Sequence, residues 1–243
     1  HVANWHQDPL ANYRARLVFP RKTTELKVTV DVVVEMAVYN PFDFFLEPSA
    51  EKFPFAYAPE VAIPWVAFTE AGLAVDLASV AGGRPPFDGL DTADPDQQAF
   101  FAGADLDAAP ALAEVDLARY GAVFFAGGHG IIRDFTSPVV GAAASAVWAA
   151  GGLVASVCHG PAALVGAVDT SGQPLVRGRA VTGFSNAEER AARVDDVVPV
   201  LLADRLAELG ADYREAPAFT EQVVVDGRLI TGQNPAIDRT CRG

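Results

Sequence analysis

The sequence predicts an α/β fold built on a mostly parallel sheet with helices on both faces, preceded by a β appendage. Three observations predict it. From Glu60 onward, short apolar runs alternate with helix-length segments punctuated by glycine and proline. The runs themselves, Ala122–Ala126 and Leu153–Val157 above all, are apolar nearly throughout, the mark of strands buried on both faces. And 51% of the 243 residues are hydrophobic, enough for a sizeable core. Residues 1–59 differ in style, so the expected division is a β segment over 1–59 and an α/β domain over 60–243.

Taken in order, Asn12–Phe19 and Glu25–Val38 read as strands separated by Pro20-Arg21-Lys22. In the second, Val28, Val30, Val32, Val34, Met36 and Val38 alternate with mostly polar neighbours, the period of a half-buried strand. Asn40–Pro48 is aromatic and broken by prolines, hence a loop. Glu60–Ala71 reads as a helix ended by Gly72, and Ala74–Ala78 as a strand before the turn at Gly82–Pro86. Asp94–Phe101 and the Ala109–Ala118 region read as short helices, with Asp94 capping the first ahead of Pro95. Ala122–Ala126 is a strand ending in Gly127-Gly128-His129-Gly130. Ser137 caps a helix that starts at Pro138, runs to Ala150 and stops at Gly151-Gly152. Leu153–Val157 is a strand, and Pro161 opens a helix through Val165. Arg179–Thr182 is a strand and Val197–Leu209 a helix. Gln222–Val225 and Leu229–Thr231 form a hairpin turned by Asp226-Gly227. There is no internal repeat and no low-complexity segment.

Composition excludes several functions. A net charge of −13 argues against a nucleic-acid partner and against an anionic membrane surface. No apolar run approaches the length of a membrane span, and no signal peptide is visible. Two cysteines, Cys158 and Cys241, make no disulfide framework, which predicts a reducing compartment, the cytoplasm. The histidines are His1, His6, His129 and His159, with no C-x-x-C and no H-E-x-x-H, so no dedicated metal site is expected. The Gly127–Gly130 turn lacks the lysine of a phosphate-binding loop.

Four features carry the chemistry. Leu153–Val157 runs straight into Cys158-His159-Gly160-Pro161, the strand-to-helix turn of a nucleophile elbow. Such a turn aims the thiol off the sheet's carboxyl edge and leaves the next N–H as an oxyanion donor. Turn amides, a helix start and His159 all favour thiolate, so Cys158 is expected to titrate below an ordinary thiol and, as an exposed thiolate, to oxidise readily to sulfinic acid. The competing reading is an inert buried cysteine after a core strand. Gly127-Gly128-His129-Gly130 offers a second set of backbone donors, or an ordinary tight turn. Glu60 stands at a helix start, and Glu188-Glu189 follow Thr182-Gly183-Phe184-Ser185-Asn186. Taken alone, each of these carboxylates reads more readily as plain helix surface.

These segments together resemble the ThiJ/PfpI superfamily, relatives of class I glutamine amidotransferases, and within it the heat-shock glyoxalase/deglycase branch. The matching runs are Glu60-Val61-Ala62-Ile63-Pro64, Phe124-Phe125-Ala126-Gly127-Gly128-His129-Gly130, Ala155-Ser156-Val157-Cys158-His159-Gly160-Pro161, Val181-Thr182-Gly183-Phe184, and Leu229-Ile230-Thr231-Gly232-Gln233-Asn234-Pro235. The resemblance implies a flavodoxin-like sandwich. It implies Cys158 as nucleophile, His159 as its partner, Glu60 as the proton-shuttling carboxylate and Glu189 as the third triad member. Gly128 and the His159 backbone would form the oxyanion hole, with His129 and Gly127 at the substrate pocket. The amidotransferases' C-terminal His-x-Glu is absent, since no histidine follows His159, so glutaminase activity is not expected. What the resemblance leaves is a cofactor-free, metal-free glyoxalase turning methylglyoxal into lactate, or a deglycase acting on glycated substrates, with a homodimer compatible. A cysteine peptidase or amidase, and a non-enzymatic redox-sensing or chaperone-like protein, are the alternatives.

The chain also departs from that pattern. Ile131-Ile132-Arg133-Asp134 replaces a Thr-Met-Trp-Asp-like run, and Ile237–Gly243 is too short and polar for the family's final helix. No apolar strand directly precedes Glu60. Residues 1–59 instead resemble a fragment of the N-terminal region of bacterial transglutaminase-like proteins, from Asn4-Trp5-His6-Gln7-Asp8-Pro9 to Asn40–Pro48. Part of Thr29–Ala37 is the candidate to fill the vacant strand position, although Asp31 and Glu35 would then face a helix layer. A separate hairpin of Asn12–Phe19 with Glu25–Val38 is the alternative.

Overall fold

A computed structural model of the chain describes residues 2–7, 13–18, 61–85, 91 and 93–236. It divides into units 1–39 and 40–243, taken separately. Glu60, Cys241, Glu25–Val38 and the proposed slot-filling segment Thr29–Ala37 lie outside the described residues.

In the first unit, β1 (Val2–Gln7) pairs antiparallel with β2 (Tyr13–Val18), in register from Val2↔Val18 to Gln7↔Tyr13. The expected strand over Asn12–Phe19 is β2. Its partner went unread because Asn4, His6 and Gln7 spoil any apolar alternation in β1.

The second unit begins with α1 (Ala62–Glu70) and α2 (Pro95–Gly103). Asp94 caps α2 as predicted, its carboxylate accepting from the N–H of Asp96 and Gln97. Ala62, Phe100 and Leu106 bury together, with Trp65 and Leu77 against them. Ala74–Ala78 is not a strand. Among the described residues only Ser79 beyond it bridges, to Ala111, and without a described neighbour to take up its N–H and C=O groups the apolar run forms no ladder there. The Ala109–Ala118 region makes two single 3-10 turns, Leu112–Glu114 and Leu117–Arg119, rather than a helix.

Then follow β3 (Ala122–Phe125), α3 (Ile131–Phe135), α4 (Pro138–Ala149) and β4 (Leu153–Val157). A 3-10 turn at Gly160–Leu164 stands where a helix from Pro161 was expected. Next come β5 (Ala180–Val181), α5 (Asn186–Ala192), α6 (Leu202–Glu208), β6 (Asp212–Tyr213), β7 (Val223–Asp226) and β8 (Leu229–Gly232). The helix expected from Val197 starts only at α6, because Pro199 disfavours helical geometry at Val198 and supplies no N–H. The hairpin turn lies one residue later than expected. Asp226 pairs with Leu229, and Gly227, at φ +60°, turns the chain with Arg228.

The central sheet runs β3-β4-β8-β7, parallel across β3, β4 and β8 and antiparallel at β7. β5 and β6 form a short parallel pair. This is the mostly parallel α/β sheet the sequence predicts. The main core joins Val154 and Leu229 of the sheet to Val140 of α4, Leu202 and Leu206 of α6, and Leu164. The α4 backbone passes close to the chain just beyond the 3-10 turn: a Cβ on Gly141 would lie 2.5–2.7 Å from Gly166 backbone atoms. Trp148 is flanked by the guanidinium groups of Arg179, 4.8 Å from the ring centre, and Arg228, at 3.9 Å. No described helix is long and apolar enough to cross a membrane.

Candidate active site

The carboxyl ends of β3 and β4 lie side by side, Phe125 opposite Ser156. Two sequence motifs therefore meet, one following each strand. Cys158 directly follows β4 and takes φ +59°, a left-handed conformation that a side chain with a Cβ adopts only under strain. It is held there from both sides: its N–H donates to the Gly232 carbonyl at 3.0 Å, and its carbonyl accepts from Phe184 N–H at 2.8 Å. Gly160 is required by close approach, since any Cβ there would overlap the Phe125 carbonyl oxygen. The elbow read from the sequence is present. Its thiol is not open to solvent as expected, for only 2% of Cys158 is exposed.

From the thiol a polar chain runs inward. Cys158 Sγ lies 3.4 Å from His159 Nδ1, and His159 Nε2 lies 2.8 Å from Glu189 Oε1. His159 and Glu189 are both fully buried. With the carboxylate accepting Nε2–H, the ring presents its Nδ1 lone pair to the sulfur, as a base for the thiol requires. The order is thiol, imidazole, carboxylate, assembled from β4 and α5.

Glu189 is placed by its neighbour. Ser185 and Glu188 close a reciprocal capping box at the start of α5, a signal legible in Ser185-Asn186-Ala187-Glu188. Glu188, also fully buried, accepts from Ser185 N–H through Oε2, and from Phe219 N–H, Gln233 Nε2 and Asn234 Nδ2 through Oε1. The two adjacent carboxylates thus serve different ends. One faces the histidine, and the other ties α5 to the 217–220 loop and to the end of β8. Gln233 and Asn234 are part of the matching motif but carried no expected role.

The glycine-rich turn supplies the other wall. Gly127 and Gly128 are buried, Gly128 at φ +118°. Among the described residues, no acceptor takes the N–H of Gly128 or of His159, the two amides expected at an oxyanion. The His129 ring sits 4.4 Å from that of His159, and Phe184 packs on both, at 5.1 and 4.5 Å. His129 keeps 47% of its side chain exposed. Even so, the atoms packed around its ring, then the neighbouring His159, push its pKa down from 6.5 to about 4, so it is neutral at physiological pH. Its Nε2 lies 3.8 Å from Glu189 Oε2, an oxygen with no hydrogen-bond partner among the described residues. The fold therefore gathers His129, His159 and Glu189, whose ligand atoms lie within 4.8 Å of one another. No spacing in the sequence foretold that cluster. Glu60, expected opposite the thiol, lies outside the described residues.

Comparison with known proteins gives the chain's relatives. The DJ-1/PfpI family model matches residues 56–238. The chain is 31% identical over 228 residues to the glutathione-independent glyoxalase HSP31 of Saccharomyces cerevisiae, covering 84% of this chain and 92% of that protein. Among solved structures, it is similar to glyoxalase III from Candida albicans, with a TM-score of 0.65 at 27% identity over 75% of this chain and 83% of that one. It is also similar to the Francisella tularensis rapid encystment protein of 24 kDa, with a TM-score of 0.69 at 34% identity over 74% and 84%.

Proposed function

The chain belongs to the DJ-1/PfpI family, and from that premise we propose that it is a cofactor-free, cysteine-dependent glyoxalase acting on small α-oxoaldehydes. The observation that carries this reading is the chain of contacts from Cys158 Sγ through His159 to the buried Glu189, in a chain similar over most of its length to a protein named a glutathione-independent glyoxalase.

For methylglyoxal the steps balance as an internal redox reaction. His159 Nδ1 takes the thiol proton while Glu189 holds Nε2–H and faces the imidazolium that forms. The thiolate adds to the aldehyde carbon, and the resulting oxyanion is stabilised by the N–H groups of Gly128 and His159 before it is protonated to a hemithioacetal. Glu60 then removes the proton from that carbon and returns one to the adjacent carbonyl carbon through an enediol. C1 is oxidised to a thioester as C2 is reduced to an alcohol. Water cleaves the thioester, giving lactate and restoring the thiol. His129 and Gly127 border the substrate. An aldehyde already added to an amine or thiol of a protein could be drawn from the same adduct equilibrium, which is the deglycase form of the reading.

The test is incubation of the full chain with methylglyoxal, without glutathione and with chelator. Stoichiometric lactate is expected, lost in Cys158→Ala and mostly lost in Glu60→Gln. Peptide-amide cleavage without lactate would replace the reading with a cysteine hydrolase. Suppressed client aggregation with neither reaction would replace it with a chaperone-like role.

A further inference from the structure

We propose that His129, His159 and Glu189 form an inhibitory site for a divalent transition metal ion of the zinc class, competing with the catalytic arrangement of His159.

The case starts from Glu189. Its carboxylate is fully buried, Oε1 is engaged by His159, and Oε2 has no hydrogen-bond partner among the described residues. A buried carboxylate oxygen left in that state is costly. What faces it is the Nε2 edge of His129 at 3.8 Å. Two imidazoles thus present their Nε2 atoms to the two oxygens of one carboxylate, all within 4.8 Å. Two imidazoles and a carboxylate are a donor set suited to zinc.

The dimensions are close to what a metal needs. Ligand atoms about 2.0–2.2 Å from one ion stand roughly 3–3.5 Å apart. His159 Nε2 and Glu189 Oε1 are already at 2.8 Å, and His129 Nε2 must approach Oε2 from 3.8 Å. His129 is the half-exposed member, so it is both the part free to move and the side from which an ion enters. Cys158 is not in this set: its sulfur faces Nδ1, and the two ring nitrogens point away from each other. This separates the site from ordinary poisoning of a thiol.

The consequence for activity rests on the glyoxalase reading. A metal on His159 Nε2 displaces the Nε2–H that Glu189 accepts, and its positive charge opposes formation of the imidazolium. The thiol then loses its base. Binding of the metal does not depend on that reading, so the two can fail separately.

The chain is stripped with chelator and titrated with Zn²⁺ against a chromophoric competitor of micromolar affinity, with Co²⁺ absorption reporting coordination. One zinc per chain is expected to compete successfully. His129→Ala and Glu189→Gln should each weaken it at least about tenfold (about 1.4 kcal/mol), while Cys158→Ser and the double variant His1→Ala/His6→Ala leave it intact. His129→Asn, which keeps a polar side chain, should weaken it as the alanine does and guards against a folding artefact. Binding lost in Cys158→Ser and retained in His129→Ala would overturn the proposal, as would failure of the native chain to compete with the chelator. If the chain makes lactate, Zn²⁺ should inhibit the native protein reversibly and inhibit His129→Asn less. Inhibition that is equal in both would overturn the inhibitory role.

Discussion

Glu188 offers the sharpest test of how the site is held, because it touches none of the proposed chemistry. Its buried carboxylate accepts four hydrogen bonds, at 2.8 Å from Ser185 N–H, 2.8 Å from Phe219 N–H, 3.1 Å from Gln233 Nε2 and 2.8 Å from Asn234 Nδ2. Hydrogen bonds to an ionised group contribute about 1.5–3 kcal/mol each, but four on one carboxylate do not add. Gln233 and Asn234 keep other partners, the Ala216 and Thr220 carbonyls, so removing the carboxylate strands mainly the N–H groups of Ser185 and Phe219. At about 1–3 kcal/mol for each stranded donor, plus a cavity where the side chain stood, Glu188→Ala should cost about 3–5 kcal/mol. Glu188→Gln keeps the shape. With its oxygen turned to the three donors of Oε1, its amide meets Ser185 N–H donor to donor, and the cost should be about 1–3 kcal/mol. Urea denaturation followed by tryptophan fluorescence and far-ultraviolet circular dichroism measures both. A Glu188→Ala loss under about 1 kcal/mol, or a Gln variant less stable than the Ala variant, would refute the assignment of Glu188 as the tie between α5, the 217–220 loop and β8.

Other outcomes follow from the same geometry. Glu189→Gln removes the charge behind His159 while keeping its shape, and should lower kcat about 10²- to 10⁴-fold with little change in KM; a kcat within a factor of about two would remove Glu189 from the triad. Gly160→Ala forces a methyl group into the Phe125 carbonyl and should cost about 1–3 kcal/mol or more by urea midpoint, along with turnover. Gly121→Ala, with nothing within 4 Å, should stay within about 0.5 kcal/mol. For His129, the folded pKa of about 4 lies below the ordinary 6.5, so between these values the unfolded chain binds the extra proton. Stability therefore falls as pH drops from about 6.5 to about 4. His129→Asn should flatten that part of a melting-temperature profile, and an unchanged slope would contradict the lowered pKa of His129.

The elements legible in the sequence were those whose signal is local and strong. Leu153–Val157 followed by Cys158-His159-Gly160 announced its strand and turn. So did Asp94-Pro95 and Ser137-Pro138 at their helix starts, although Ser137, unlike Asp94, makes no capping hydrogen bond. Ala180–Val181 falls inside the strand expected over Arg179–Thr182, but the two-residue strand Asp212–Tyr213 has no period to read, and Ala74–Ala78 had strand composition without a described neighbour to pair with. At the site, Cys158, His159 and Glu189 come together as expected. The resemblance singled out Glu189, but no local pattern could: adjacent positions on a helix point about 100° apart, so the role of Glu188 as a tie showed only in the packing. The placing of His129 over His159 depends on β3 lying beside β4, a long-range pairing that no local pattern encodes.

The backbone at Cys158, with φ +59°, sets protein folding against protein chemistry at a single codon. A left-handed conformation costs a residue with a Cβ roughly 1–2 kcal/mol, a cost glycine escapes and asparagine partly escapes. Gene libraries randomised at this codon and sorted only for soluble, folded protein should therefore fill with glycine and asparagine and lose cysteine. Sorting for survival in toxic aldehyde should return cysteine alone. A duplicated copy released from that second demand has a downhill route to a stable, inert paralogue. On the proposed reading, a cysteine at this position exchanges backbone stability for reactivity, against the conformational preference of the chain that carries it.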